Sequence, residues 1–162
     1  MTNAQSFLQA GKADNDILLY FPIHDEWSEN TRHLLKHFHG NAEGTSARAL
    51  GEKLFERGFT FDYISDRQIA NLKTEGKKIY SGKTEYKTIV VPKITCIPLN
   101  TYEKLHSLAK NGANIVFIND LPQDVPGLDQ LDKRQNKLQT MNDELDFSAL
   151  QSGDGQKVEL GQ

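Results

Sequence analysis

Asp16-Ile-Leu-Leu-Tyr-Phe-Pro-Ile-His-Asp-Glu-Trp27 is the stretch that decides the fold. Residues 17–21 are apolar without a break and do not alternate with polar ones. That is the pattern of a strand buried on both faces, as parallel strands under helices are. Asp14 and Asp16 stop the run on one side, and on the other Pro22 precedes a group of functional side chains. In open α/β sheets, ligands collect just beyond the carboxyl ends of the strands. His24, Asp25, Glu26 and Trp27 are therefore the first candidates for a site.

Outward from this strand, the chain alternates between helical and extended patterns. Residues 28–46 make a long connection with His33, His37, His39, Gly40 and Gly44, and residues 31–38 have room for a short helix. Long connections of this kind are disproportionately functional. Thr45 or Ser46 then caps a helix whose Ala49, Leu50, Leu54 and Phe55 form an apolar stripe, closed by Gly58. Residues 59–64 alternate and form a second strand. Ser65-Asp66 caps a short helix through Gln68, Ile69 and Leu72.

Residues 77–80, Ser81-Gly82 and residues 86–91 form an edge hairpin feeding the third core strand, which Pro92 ends. A helix from Thr101 turns Leu105, Leu108 and Ala109 inward and stops at Asn111-Gly112, and residues 113–118 are the fourth strand. This spacing predicts an α/β fold with a doubly wound, mostly parallel, flavodoxin-like sheet ordered 2-1-3-4 with an edge hairpin. That order sets residues 24–27 and 93–97 on one crevice, with Ser65, Asp66 and Arg67 at its flank. A polar helix follows from about residue 129 to 145. The expected organisation is residues 1–13 as a linker or the tail of a preceding domain, 14–146 as the α/β domain, and 147–162 as a polar tail or the start of the next domain.

The chain has 162 residues, enough for one domain with a core and short for two. Nineteen Lys and Arg against 22 Asp and Glu give a net charge of −3, which supplies no basic field for nucleic acid. The single cysteine, Cys96, rules out an internal disulfide framework and a multi-cysteine metal site. No apolar run approaches the ~18 residues of a membrane-spanning helix, and the first dozen residues do not read as a signal peptide.

Several chemistries can be weighed on these residues. Asp25 and Glu26 are neighbours, and a glycosidase needs its two carboxylates about 5–9.5 Å apart across one bond. Solvated loop carboxylates are the better reading. Receiver-type phosphotransfer needs an acceptor Asp where the third strand ends, but the chain has Val91-Pro92-Lys93. Cys96 sits in Ile94-Thr-Cys-Ile-Pro98, without the small neighbours of a nucleophile elbow, and reads as a half-buried structural thiol. His33 and His37 stand four apart as zinc ligands do, yet with no Glu between them and no fixed third ligand they read as hydrogen-bonded or solvated. Trp27, the one tryptophan, suits either stacking on a sugar ring or anchoring to a neighbouring domain. No Gly-rich loop follows the first strand, so no nucleotide or flavin cofactor is expected.

Leu18-Leu-Tyr-Phe-Pro-Ile-His-Asp-Glu-Trp27, Glu56-Arg-Gly-Phe-Thr-Phe-Asp-Tyr-Ile-Ser-Asp-Arg-Gln68, Tyr86-Lys-Thr-Ile-Val-Val-Pro92 and Leu121-Pro-Gln-Asp-Val-Pro-Gly-Leu128 resemble large bacterial glycoside hydrolases of the α-L-rhamnosidase type, family 106. The resemblance spans residues 7–138 and falls in their glutamine-amidotransferase-like domain, which follows the catalytic barrel. Similar domains flank the barrels of some β-galactosidases and help subunits associate. Phe7-Leu-Gln-Ala-Gly11 looks like the join to such a barrel. The resemblance implies a class I glutamine-amidotransferase-like fold without its nucleophile. It also implies a non-catalytic accessory domain, inactive alone, that supports the barrel of the same full-length chain and lends residues to its sugar pocket. The family's acid and base lie in the barrel, so no catalytic residue is carried over. His24, Asp25, Glu26, Trp27, Asp66 and Arg67 are the expected substrate-binding residues. The alternative is a stand-alone carbohydrate-binding module. Neither nucleic acid nor membrane is an expected partner, and the parent enzyme is expected to be periplasmic or secreted.

Overall fold

Strand β1 (Ile17–Tyr20) is buried at all four positions. The computed structural model describes residues 14–28 and 45–144. After β1 come α1 (Ile23–Ser28), α2 (Ser46–Glu56), β2 (Phe61–Ile64), α3 (Asp66–Ile69), β3 (Lys73–Glu75), β4 (Lys78–Ser81), β5 (Thr84–Tyr86), β6 (Thr88–Val91), α4 (Leu99–Lys110), β7 (Asn114–Phe117) and α5 (Leu131–Glu144). The expected terminal segments 1–13 and 147–162, and the connection holding His33, His37 and His39, lie outside the described residues.

The main sheet has the order β2-β1-β6-β7, and every pairing in it is parallel. This is the expected 2-1-3-4 once the three short strands are set aside. Ile17 stands opposite Phe61 and Thr88, and Leu19 opposite Tyr63 and Val90. Side chains alternate across a strand, so β1 feeds two cores. Leu18 and Tyr20 enter one core with Ile64, Ile89, Val91, Tyr102, Leu105 and Leu138. Ile17 and Leu19 enter the other with Leu50, Leu54, Val90 and Val116. Burial of each large side chain contributes ~1.5–3 kcal/mol, which explains why the run is apolar throughout. The fold is a doubly wound α/β sheet.

The expected edge hairpin belongs to a separate sheet. β3, β4 and β5 form a three-stranded antiparallel unit of their own. Gly82, at φ +63°, makes the β4–β5 turn, where a side chain would be strained. Ile79 and Tyr86 seal the unit onto the first core, and Tyr86 Oη donates to Asp62 Oδ2 at 2.8 Å, tying it to β2. The short helix also ends sooner than expected, at Ile69, and the buried Leu72 leads directly into β3.

Side-chain hydrogen bonds set the entry to two of the helices. Thr45 Oγ1 accepts from the backbone N–H of Arg48 at 3.3 Å and starts α2. Arg134 donates to the carbonyls of Pro126, Gly127 and Asp129, fixing the loop that enters α5. Further along α5, Asn142 accepts from Tyr102 Oη at 2.5 Å and donates to the Pro122 carbonyl at 3.0 Å, so buried polar atoms join α5 to α4.

Candidate functional site

Residues 23–28 are a helical turn rather than an open loop. The Pro22 carbonyl accepts from the backbone N–H groups of Asp25 and Glu26, each at 3.1 Å, and starts α1 at the carboxyl end of β1. This geometry turns Asp25 toward the segment after β6. Its Oδ1 accepts from the backbone N–H of Thr95 at 2.7 Å and of Cys96 at 2.6 Å. The two stretches expected to share a crevice do meet, and Asp25 is the tie. It is not a merely solvated loop carboxylate.

A second node lies beside it. Tyr20, the last residue of β1, donates from its hydroxyl to Asp66 Oδ1 at 2.8 Å, and Thr101 Oγ1 donates to the same oxygen at 2.7 Å. Asp66 opens α3, whose N-cap Ser65 donates its backbone N–H to Gln68 Oε1 at 3.0 Å. The node therefore joins β1, α3 and α4 through one carboxylate. Burial first, and then the Asp66 carboxylate, push the Tyr20 hydroxyl far above its ordinary pKa, so it acts as a donor and not as a base.

His24 and Trp27 complete the rim. His24 Nε2 lies 3.9 Å from Asp66 Oδ2, beyond direct hydrogen-bond distance. The imidazole stands edge-on to the Trp27 ring, with centroids 5.8 Å apart and planes at 80°. Trp27 is 61% exposed. Glu26 is half-buried on the same turn. Arg67 is exposed on α3, where its carbonyl accepts from Asn71 Nδ2 at 2.9 Å.

Cys96 is buried rather than half-buried, and burial first, then Asp124 and Asp25, push its thiol up to about 11. A thiol so protonated at neutral pH is a poor nucleophile. Among the described residues, no group of three or more His, Cys, Asp or Glu could hold a metal ion, and the pair His33 and His37 lies outside them. No described helix is long and apolar enough to cross a membrane.

Sequence reasoning missed Tyr20 and Thr101. The available signal was the tyrosine itself, the one polar atom in an apolar strand, because a buried phenol seeks a partner. Thr101 carried no comparable mark.

No protein-family model matches the chain, and no curated protein matches it significantly. Among solved structures, a β-galactosidase from Bifidobacterium adolescentis aligns with it at 19% identity and a TM-score of 0.45. That alignment covers 70% of this chain and 45% of the β-galactosidase chain, so this chain spans under half the length of that structure.

Proposed function

We propose that this chain is a non-catalytic accessory α/β domain of a bacterial glycoside hydrolase of the α-L-rhamnosidase type, packing beside the catalytic barrel. The observation that carries the reading is the engagement of both acids at the crevice in holding the fold. Asp25 Oδ1 accepts two backbone N–H groups, and Asp66 Oδ1 accepts two hydroxyls. A general acid or base must exchange its proton with substrate, and these two oxygens are instead fixed acceptors within the framework. The raised Cys96 thiol points the same way. Phe55, Phe59 and Tyr63 are each about half exposed or more, on or beside α2 and the edge strand β2. Exposed aromatic surface of this kind suits contact with a neighbouring domain. The family resemblance supplies the identity of that neighbour.

Assay of the purified chain on aryl α-L-rhamnosides and aryl β-galactosides is the test, and no turnover is expected. Turnover that survives purification and is lost in a point variant of Asp25 or Asp66 overturns the reading. A stand-alone carbohydrate-binding module differs in requiring sugar affinity without the barrel, and the exposed indole of Trp27 is the observation favouring it.

A further inference from the structure

We propose that Trp27, His24 and Asp66 form a subsite for one neutral, polyhydroxylated ring, a pyranose residue. The inference rests on the carbohydrate part of the proposed function and goes further in naming the groups and the ligand chemistry. An exposed indole offers a flat apolar face, and the C–H face of a sugar ring is its complement. Here the indole is held by the edge-on His24 ring, centroids 5.8 Å apart.

Polar groups stand at the edge of that platform. Asp66 Oδ1 is occupied by Tyr20 and Thr101, which fix the carboxylate in place. Among the described residues, Asp66 Oδ2 accepts no hydrogen bond, and its neighbour is His24 Nε2 at 3.9 Å. That separation is too long for a direct bond and right for one bridging oxygen, which fits about 2.8 Å from both atoms. A hydroxyl both accepts and donates, so one sugar hydroxyl takes the imidazole N–H and gives its proton to Oδ2. An ionised carboxylate ligand has no proton to donate to Oδ2, and a phosphate, though it keeps a P–OH donor, would bring its negative charge against the Asp66 carboxylate. Asp25 and Glu26 follow His24 directly in the chain and add repulsion, with the exposed Arg67 as the one cationic side chain among the candidate site residues. The chemistry therefore favours a neutral polyol ring over a charged one.

Trp27 is the sole tryptophan, so intrinsic emission reports this position alone. The chain is titrated with L-rhamnose, D-galactose and their methyl pyranosides, and separately with inorganic phosphate. A saturable emission change with a sugar, at a dissociation constant on the order of 1 mM, is the expected result. His24→Ala should weaken it at least about tenfold while leaving the melting temperature unchanged, and Trp27→Ala should abolish the saturation-transfer NMR signal of the sugar. A flat titration in folded protein overturns the subsite. So does a response to phosphate without one to sugars, or an emission change that follows protein concentration alone, which marks Trp27 as a protein contact. A flat titration leaves the accessory role standing, whereas turnover of aryl glycosides overturns that role and leaves the subsite to the titration.

Discussion

Asp25 Oδ1 lies 2.6 Å from the backbone nitrogen of Cys96, joining the helix after β1 to the segment after β6. The N–H of Thr95 shares the same oxygen at 2.7 Å. A hydrogen bond to a charged acceptor contributes ~1.5–3 kcal/mol, and partial exposure places this pair toward the lower end. Asp25→Ala is therefore expected to cost about 2–3 kcal/mol, and Asp25→Asn about half of that, because the amide oxygen still accepts without the charge. At ~2–4 °C per kcal/mol for a chain of this size, both changes are visible by scanning calorimetry. A melting temperature within about 1 °C of wild type for Asp25→Ala would show that the contact is not stabilising.

Leu19 has no exposed surface, and its strand is paired on both sides. Leu19→Ala should cost ~2–5 kcal/mol through lost burial and a residual cavity. Leu19→Asp adds an unpaired buried charge and should leave no native far-UV dichroism. A folded Leu19→Asp variant with a cooperative melt would refute the central placement of β1.

How much of this was legible follows from range. The apolar runs at 17–20, 89–91 and 115–118, separated by helical stripes, encode the sheet locally, and its order follows from the crossover rules. Lys73-Thr-Glu75 carries no such signal. It is a strand only because Thr74 stands opposite Ile79 and Lys73 opposite Tyr80. Six residues are too few for α1 to show a helical period, so His24 to Trp27 read as a loop. That residues 24–27 and 93–97 meet in one crevice was legible from the strand order, because both follow the carboxyl ends of neighbouring parallel strands. The roles of its residues were not, because Asp66 meets Tyr20 across 46 residues and Thr101 across 35.

Acid should loosen the seam between α4 and α5. His106 is buried on α4, with its Nε2 3.7 Å from Glu144 Oε2, an oxygen that Lys110 Nζ contacts at 2.8 Å. Burial first, and then Lys110, push the imidazole below its ordinary value of 6.5, with Glu144 pulling weakly the other way. The unfolded chain then binds more protons than the folded one, so stability rises with pH. The contribution is full above about pH 6.5 and is lost as pH falls from there through the folded-state value. Urea midpoints measured at about pH 7.5 and about pH 5.5 should differ more for wild type than for His106→Gln. Equal differences would remove His106 from the account.

The last prediction concerns the carboxylate shared by Tyr20 and Thr101. Each hydroxyl donates to Asp66 Oδ1, so removing one leaves the other to satisfy a half-buried charge. Tyr20→Phe and Thr101→Val should each cost about 1–2 kcal/mol, the Tyr20 change preserving ring volume. Together they strip Oδ1 of both donors, and an unsatisfied carboxylate incurs its full desolvation penalty. The double variant should therefore lose more than the sum of the singles, with a coupling of roughly 0.5–3 kcal/mol in urea unfolding. Repeating the cycle in an Asp66→Ala background locates that coupling. It should collapse there, because the acceptor both hydroxyls serve is gone, and the Tyr20 and Thr101 changes should then add within about 0.5 kcal/mol. Coupling that persists without the carboxylate would mean that Tyr20 and Thr101 communicate through packing, and Asp66 would no longer be the joint of β1, α3 and α4.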